Sequence, residues 1–281
     1  MSGTGFALPV QMKRIITIAF ILIGFVAHSS DGQKVLRSLD NTAFKPGEVL
    51  KFRLHYGIIS AGEATLRVDT GATIIGTRPC YHVVGTGESV GAFNWFFKVR
   101  DRYESIIDKV ALVPWMFIRR VDEGCFVINE NVSFNHYKNT AASNGTRNKK
   151  DISRGIDSLP DGIQDMLSAF YYARTLDFSN VKEGDVFPIF GLIDNEVVPL
   201  NIKFIGREEI ETKKGTFKCL KFRPMLQEGR VFKDNEDMTV WVSDDKNHLP
   251  VRVQTDVLVG SIKMDLVDFE GLANPPAIVP E

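Results

Sequence analysis

Five residues, Gly87-Glu88-Ser89-Val90-Gly91, carry the spacing G-x-S-x-G. In a serine hydrolase that spacing bends the chain between a strand and a helix and exposes a nucleophilic hydroxyl, with an acid and a histidine following in sequence. His136 and His248 lie downstream and carboxylates are plentiful. The context argues against a nucleophilic Ser89. An amphipathic helix should come next, yet Ala92-Phe93-Asn94-Trp95-Phe96-Phe97 reads as an aromatic loop or the beginning of a strand. Alternating strand–helix units, which a parallel hydrolase sheet requires, are missing. The five histidines, His28, His55, His82, His136 and His248, show neither H-E-x-x-H nor Cys-paired spacing, so no metal is expected. Without a P-loop or a dinucleotide fingerprint, no cofactor is expected either.

A second group of residues suits binding rather than reaction. Phe93, Trp95, Phe96 and Phe97 form the densest aromatic cluster, and Lys98, Arg100, Asp101 and Arg102 follow at once. They read as a core strand with an ordinary hairpin, or as the lip of an apolar cavity or a surface contact for lipid or a partner. In the second case Arg100 and Asp101 mark a polar rim. Further on, Asp161 suits an N-cap and Gln164 completes a capping-box-like pair. Ile163, Met166, Leu167, Phe170, Ala173 and Arg174 then recur at helical spacing, which predicts a helix over 161–176. Met166 and Phe170 lie on the apolar face, which covers a sheet or lines a cavity. The candidate ligand-binding set is therefore Phe93, Trp95, Phe96, Phe97, Arg100, Asp101, Met166 and Phe170, with no catalytic residue among them.

The elements that must position these residues are mostly strands. From Phe44 onward apolar and polar residues alternate with period two, and turn residues recur at short intervals, the pattern of many antiparallel strands. Residues 138–159 are rich in Asn, Ser, Thr, Lys and Gly, and read as a long hairpin tip or linker with Asn144-Gly145 as a tight turn. The chain also repeats itself. A shift of 136 residues superposes Phe96 on Phe232, Asp101 on Asp237, Asp108 on Asp244, Pro114 on Pro250 and Val121 on Val257; a shift of 139 superposes Gly76-Thr77 and Cys80 on Gly215-Thr216 and Cys219. Two similar β units, about 44–137 and 186–270, are expected within one β-rich domain, 30–281. In both, Asp opens a turn and Pro opens the next strand. The expected architecture is a curved antiparallel sheet or open barrel with one helix packed on it. The tail from Asn274 is expected to be loose.

At the front, Lys13-Arg14 precede a short apolar run, Ile15 to Val26, and small residues Ala27 and Ser29 follow. This is the pattern of a secretory signal peptide over 1–29. The formal net charge of −1 becomes −3 once Lys13 and Arg14 are removed, and no basic stripe for nucleic acid is present. Three cysteines, Cys80, Cys125 and Cys219, cannot close into a disulfide framework. Cys80 and Cys219 sit in apolar runs and read as buried small hydrophobes, with a bridge between them left open.

Several of these segments resemble a family of exported bacterial proteins known as domain of unknown function 3108. The matching pieces are Phe44-Lys45-Pro46-Gly47-Glu48, Phe97-Lys98-Val99-Arg100-Asp101, Asp165 to Arg174, Gly215 to Cys219, and Trp241 to Asp244 with Leu249 to Val253. The resemblance implies a periplasmic or outer-membrane-associated β protein of Gram-negative bacteria, with no established activity. More distantly, Trp241, Asp244 and Leu249-Pro250 look like the last hairpin of lipoprotein-carrier half-barrels, which hold acyl chains under a helical lid. The leading expectation is a non-catalytic cell-envelope protein that binds a lipid, another apolar ligand or an envelope partner. An envelope hydrolase using Ser89 and a purely structural scaffold are the alternatives.

Overall fold

The computed structural model describes residues 34–225, 238–256 and 261–279. The expected signal peptide lies outside them, as do Phe232, Asp237 and Val257 of the repeat. The chain divides into two units, residues 1–35 and 36–281, and the fold below is that of the second.

In chain order the elements are β1 (Val49–Tyr56), β2 (Ile59–Val68), β3 (Thr73–Ile75), β4 (Arg78–Ser89), α1 (Phe93–Phe96), β5 (Arg100–Asp108), β6 (Pro114–Glu123), β7 (Phe126–Asn135), β8 (Thr140–Arg147) and β9 (Lys150–Ile156). There follow α2 (Met166–Ala173), β10 (Val186–Phe187), β11 (Phe190–Ile193), β12 (Glu196–Pro199), β13 (Asn201–Thr212), β14 (Gly215–Met225), β15 (Met238–Ser243), β16 (Pro250–Asp256) and β17 (Ser261–Glu270). Fifteen strands form one antiparallel sheet in the order β10-β13-β14-β15-β16-β17-β1-β2-β4-β5-β6-β7-β8-β9, with β3 beside β4; β11 and β12 make a separate hairpin. The sheet is open, with β10 and β9 at its edges. Each half is a meander of neighbours in sequence, and the chain's first and last strands, β1 and β17, join the halves through the pairs Val49–Glu270 to Tyr56–Ile262.

The expected mainly β fold with a packed helix is what the chain adopts. The segments superposed by the repeat are β4-β5-β6 and β14-β15-β16, each a consecutive antiparallel run. The two corners differ in chemistry. Asp108 is fully buried, and its Oδ1 accepts the amides of Val110 and Ala111 as a turn-maker should. Asp244 does not play that part: it lies half-exposed against Arg207, 3.2 Å away. Asp245 instead accepts the Asn247 amide, and Ser243 pairs with Leu249 where Asp108 pairs with Val113. One extra residue in the second corner moves the turn-making carboxylate along the chain.

Three local expectations are corrected. Of the two readings of this stretch, residues 140–156 take the hairpin one as β8–β9, but the turn falls at Asn148-Lys149 (φ +48° and +66°, the paired left-handed values of a tight hairpin turn) and not at Asn144-Gly145. Gly145 lies within β8 at φ +153°, where a Cβ would come within 1.9 Å of the Asn129 carbonyl oxygen; it is needed for close approach, not for the turn. The helix begins at Met166 rather than 161, because the Gln164 backbone is engaged with β11, its amide on Phe190 O and its carbonyl on the Leu192 amide. Asp165 is therefore the N-cap, in a reciprocal capping box with Ser168, while exposed Asp161 accepts from Asn139. Arg174 closes α2, so the helix stops short of Leu176. The tail is tied down as far as Val279: the Ala277 amide bonds Asp245 and the Val279 amide bonds Thr216 O.

Cys80 and Cys219 are buried in separate apolar clusters, Cys125 is exposed, and all three are free thiols. Burial pushes Cys80 up to about 11 and Cys219 to about 12, so neither forms the reactive thiolate at neutral pH.

Asp165 supplies a pH signature. It is fully buried, and burial raises its pKa from 3.8 to about 6 despite hydrogen bonds from Ser105 and Ser168. The folded state then holds this proton more firmly than the unfolded chain, so its contribution to stability declines as pH rises from about 4 to about 6. Asp165→Asn keeps a capping side chain and removes the titration. Relative to this variant, the wild type is expected to lose about 1–3 kcal/mol of unfolding free energy across that window. Urea titrations of both proteins at pH 4 and pH 7 check it; equal differences at the two pH values refute it.

Candidate functional site

Helix α2 is short and only partly buried, and its two sides do different work. Tyr171 is fully buried against Phe44, with ring centroids 4.7 Å apart, in a cluster that includes Val68, Val83 and Ile107. On the other side Ala169, Phe170 and Ala173 form one wall of an apolar cleft of about 200 Å³. Facing them are Phe222 of β14 and Val240 and Val242 of β15. Alternation along these two strands puts every second side chain on the cleft side. Phe178, beyond the helix, packs on Phe222 and His248 at centroid distances of 4.8 and 4.9 Å and closes one end. The polar groups that reach the lining are those of Arg174 and His248. Burial lowers the His248 pKa, and its ring is held by the Arg174 carbonyl oxygen at 2.7 Å. Such a space offers an apolar group burial without a charged partner.

Two ionic arrangements, one buried and one partly exposed, hold the walls. The Arg174 guanidinium forms two parallel bonds to Glu48, at 2.7 and 2.8 Å, and donates to the carbonyls of Asn247 and Ala43. Both side chains are essentially inaccessible. This one residue ties the end of α2 to the loop preceding β1 and to the β15–β16 corner. The second arrangement pins β11–β12. Asp194 and Asn195 form its tip, both at positive φ (+50° and +67°). Asp194 accepts from Arg119 at 2.8 Å and from Arg147 at 2.6 Å, and Arg119 also bonds buried Glu130. Burial opposes ionisation of Asp194, but the two guanidinium groups outweigh it and hold its carboxyl below the usual range. The base of the hairpin, Ile189 and Leu200, lines the cleft, with the Leu200 amide on Ile189 O at 2.7 Å.

Of the eight candidate residues, Phe170 alone lines this cleft. Met166 faces a small recess beside Phe117, Arg119 and Asp194. Arg100 and Asp101 line a separate polar groove with Glu63, Glu88, Arg102 and Arg120. Phe93, Trp95, Phe96 and Phe97 form or adjoin the single turn α1 in the β4–β5 connection, remote from the cleft lining. Trp95 and Phe96 are 88% and 87% exposed, so neither is a core residue. The cleft residues missed at first, Phe178, Phe222, Val240 and Val242, are apolar positions in strand or loop; their periodicity marks them as buried without saying which face meets α2.

Ser89 is the last residue of β4. Its hydroxyl donates to Asn94 Oδ1 at 3.0 Å and accepts the Val99 amide at 2.9 Å, which staples the connection through α1. Described histidines bond elsewhere: His55 to Asp265, His82 to Glu104, His136 to Pro114 O and His248 to Arg174 O.

Taken together, an open antiparallel sheet with a short helix packed on it and an apolar cleft between them defines a β-barrel-like protein. The chain belongs to the protein family of unknown function DUF3108, whose sequence profile matches residues 51–267. Among solved structures it is similar to a β-barrel-like protein of the domain of unknown function DUF1849 from Brucella abortus, at 9% identity and a TM-score of 0.51, covering 85% of this chain and 99% of that one. That likeness is one of fold. Others are an exported protein with a YmcC-like fold from Bacteroides fragilis (10% identity, TM-score 0.36, 84% and 100% covered) and a lipoprotein from Parabacteroides distasonis (12%, 0.31, 84% and 100%), as those proteins are described. Among curated proteins none matches the chain. No helix among the described residues is long and apolar enough to cross a membrane.

Proposed function

We propose that this is an exported, non-catalytic protein of the cell envelope that holds one apolar chain or ring in the cleft between α2 and β13–β15. The cleft's lining carries the reading: it is apolar nearly throughout, and its aromatic residues are already packed against one another. At about 200 Å³ it is smaller than the roughly 300–1,000 Å³ of sites for drug-sized ligands. A single acyl segment of a lipid or lipoprotein suits it better than a whole lipid. Export is supported by the basic and apolar pattern of Lys13 to Ser29. The engagement of Ser89 with Asn94 and Val99 supports a structural role for that hydroxyl.

Purification without detergent followed by lipid mass spectrometry tests the reading, together with titration of the apolar fluorophore N-phenylnaphthylamine. Ala173→Trp and Val240→Trp each place an indole in the cleft from opposite walls. Both are expected to lower fluorophore affinity at least roughly tenfold, the equivalent of one lost side-chain contact. No co-purifying lipid together with no fluorophore binding by the wild type would reject the carrier. Labelling of the wild type, but not of Ser89→Ala, by a fluorophosphonate would reject the non-catalytic part.

A further inference from the structure

The strand ends on one side form a further edge of the sheet, with four described hairpin connections, residues 57–58, 90–99, 124–125 and 148–149. Register sets them side by side: Gly62 pairs with Ser89, Glu88 with Arg100, Val99 with Glu123, Glu123 with Phe126, and Arg147 with Lys150. Exposed turns are ordinarily built from Gly, Asn, Asp, Ser and Pro. Here Ile58 stands at its apex 102% exposed, and Trp95 and Phe96 project from the next connection. Phe126 adds a further exposed ring beside the third. The rings of α1 pack on little of the chain, and no residue of that turn is buried.

Charge at the tips themselves is one-sided. The four connections contain Lys98 and Lys149 and no acid. The strand residues directly next to them add Arg100, Arg147 and Lys150 against Glu123, a half-buried carboxyl beside Asp101; the acids Glu88, Asp101, Asp122 and Asp151 are set one residue further back from the tips. Lys98, Arg100, Lys149 and Lys150 are exposed and form no ion pair among the described residues. Projecting Trp, Phe and Ile among cations suit the boundary between lipid headgroups and acyl chains, where indole rings are favoured and anionic phosphates attract Lys and Arg. A protein partner would call for a continuous face of about 800 Å², whereas these side chains stand on separate tips.

We propose that this edge docks on an anionic lipid bilayer, with Ile58, Trp95 and Phe96 entering the headgroup–acyl boundary and Lys98, Arg100, Lys149 and Lys150 meeting the lipid phosphates. The inference stands on the edge alone and does not depend on the cleft.

Sedimentation with vesicles of phosphatidylcholine and phosphatidylglycerol in equal parts, against phosphatidylcholine alone, tests it. The wild type is expected to bind the anionic vesicles more strongly and to be released by salt. Trp95→Ala/Phe96→Ala should lower the partition coefficient at least roughly tenfold, and Lys149→Gln/Lys150→Gln by about tenfold or more. All forms carry the same N-terminal segment, so the differences isolate the edge. The substituted side chains are exposed, so unchanged thermal melting is expected. Because Trp115 and Trp241 are buried, a blue shift of tryptophan emission on binding should come from Trp95 and vanish in Trp95→Phe while sedimentation persists. Overturning results are no binding by the wild type, binding indifferent to Trp95→Ala/Phe96→Ala, or lipid-free self-association that those substitutions abolish.

Discussion

Glu48→Ala is expected to destabilise the protein by about 3–5 kcal/mol, because it leaves the Arg174 guanidinium buried and uncompensated. Both members of the pair are inaccessible, and Arg174 also lies over the rings of Tyr171 and Phe44 at 5.1 and 5.5 Å. Attraction between the two charges offsets a large desolvation cost; removing one partner keeps the cost and loses the attraction. For a chain of this size the melting temperature should fall by on the order of 10 °C. The double substitution Glu48→Leu/Arg174→Met removes both charges and should recover most of the loss. Differential scanning calorimetry of the two variants checks the argument. A double variant no more stable than Glu48→Ala would show that packing, not the unpaired charge, sets the effect. Arg174 also borders the cleft, so Glu48→Ala should weaken binding of the apolar fluorophore through disorder at the end of α2.

The second large effect separates the two corners of the repeat. Asp108→Ala is expected to cost about 3–5 kcal/mol, and Asp244→Ala less than about 1 kcal/mol. The side chain of Asp108 is fully buried; it accepts from Arg78, from Trp115 Nε1 at 3.0 Å and from two turn amides. Burial opposes its ionisation, yet these donors prevail and hold its pKa below the ordinary 3.8. A depressed folded pKa contributes stability that is complete above the unfolded value and is lost as pH falls through the folded one. The wild-type advantage over Asp108→Asn should therefore shrink below about pH 4. Asp244 is half-exposed, its ion pair among the described residues is with Arg207 at the surface, and water screens that pair. Equal costs for the two substitutions in urea unfolding would mean that the corners are equivalent after all.

Much of the architecture was legible in the residues. Period-two alternation marks β13–β17 and, apart from the short β3, β1–β7, because a strand with one covered face must bury every second side chain. The repeat aligned β4-β5-β6 with β14-β15-β16, since the shared strand-opening prolines Pro114 and Pro250 leave their trace in identities, while the turn-making carboxylate moves from Asp108 to Asp245. Helix α2 was visible in Met166, Leu167, Phe170 and Ala173, but its start was misplaced. Asp161 and Gln164 form an acceptable local cap; the bridge from Gln164 to β11, a partner some 27 residues on, decides otherwise. Local propensity holds no information about such a partner.

The candidate sites divide along the same line. By itself the sequence determined a β-rich chain with a helical segment, an export-like beginning, an aromatic cluster followed by cations and no familiar catalytic spacing, because each is a local pattern of residue type. Only the tertiary structure decided that Phe170 meets Phe222 and Val242 across a cleft while Met166 faces elsewhere. It likewise turned Phe93–Phe97 from a cavity lip into an exposed tip, placed Ser89 in a hydrogen-bonded staple, and joined Glu48 to Arg174 over 126 residues. Those outcomes depend on strand order and register, which bring distant segments together through the central β1–β17 pair; periodicity states that a side chain is buried, and only the neighbouring strand states against what.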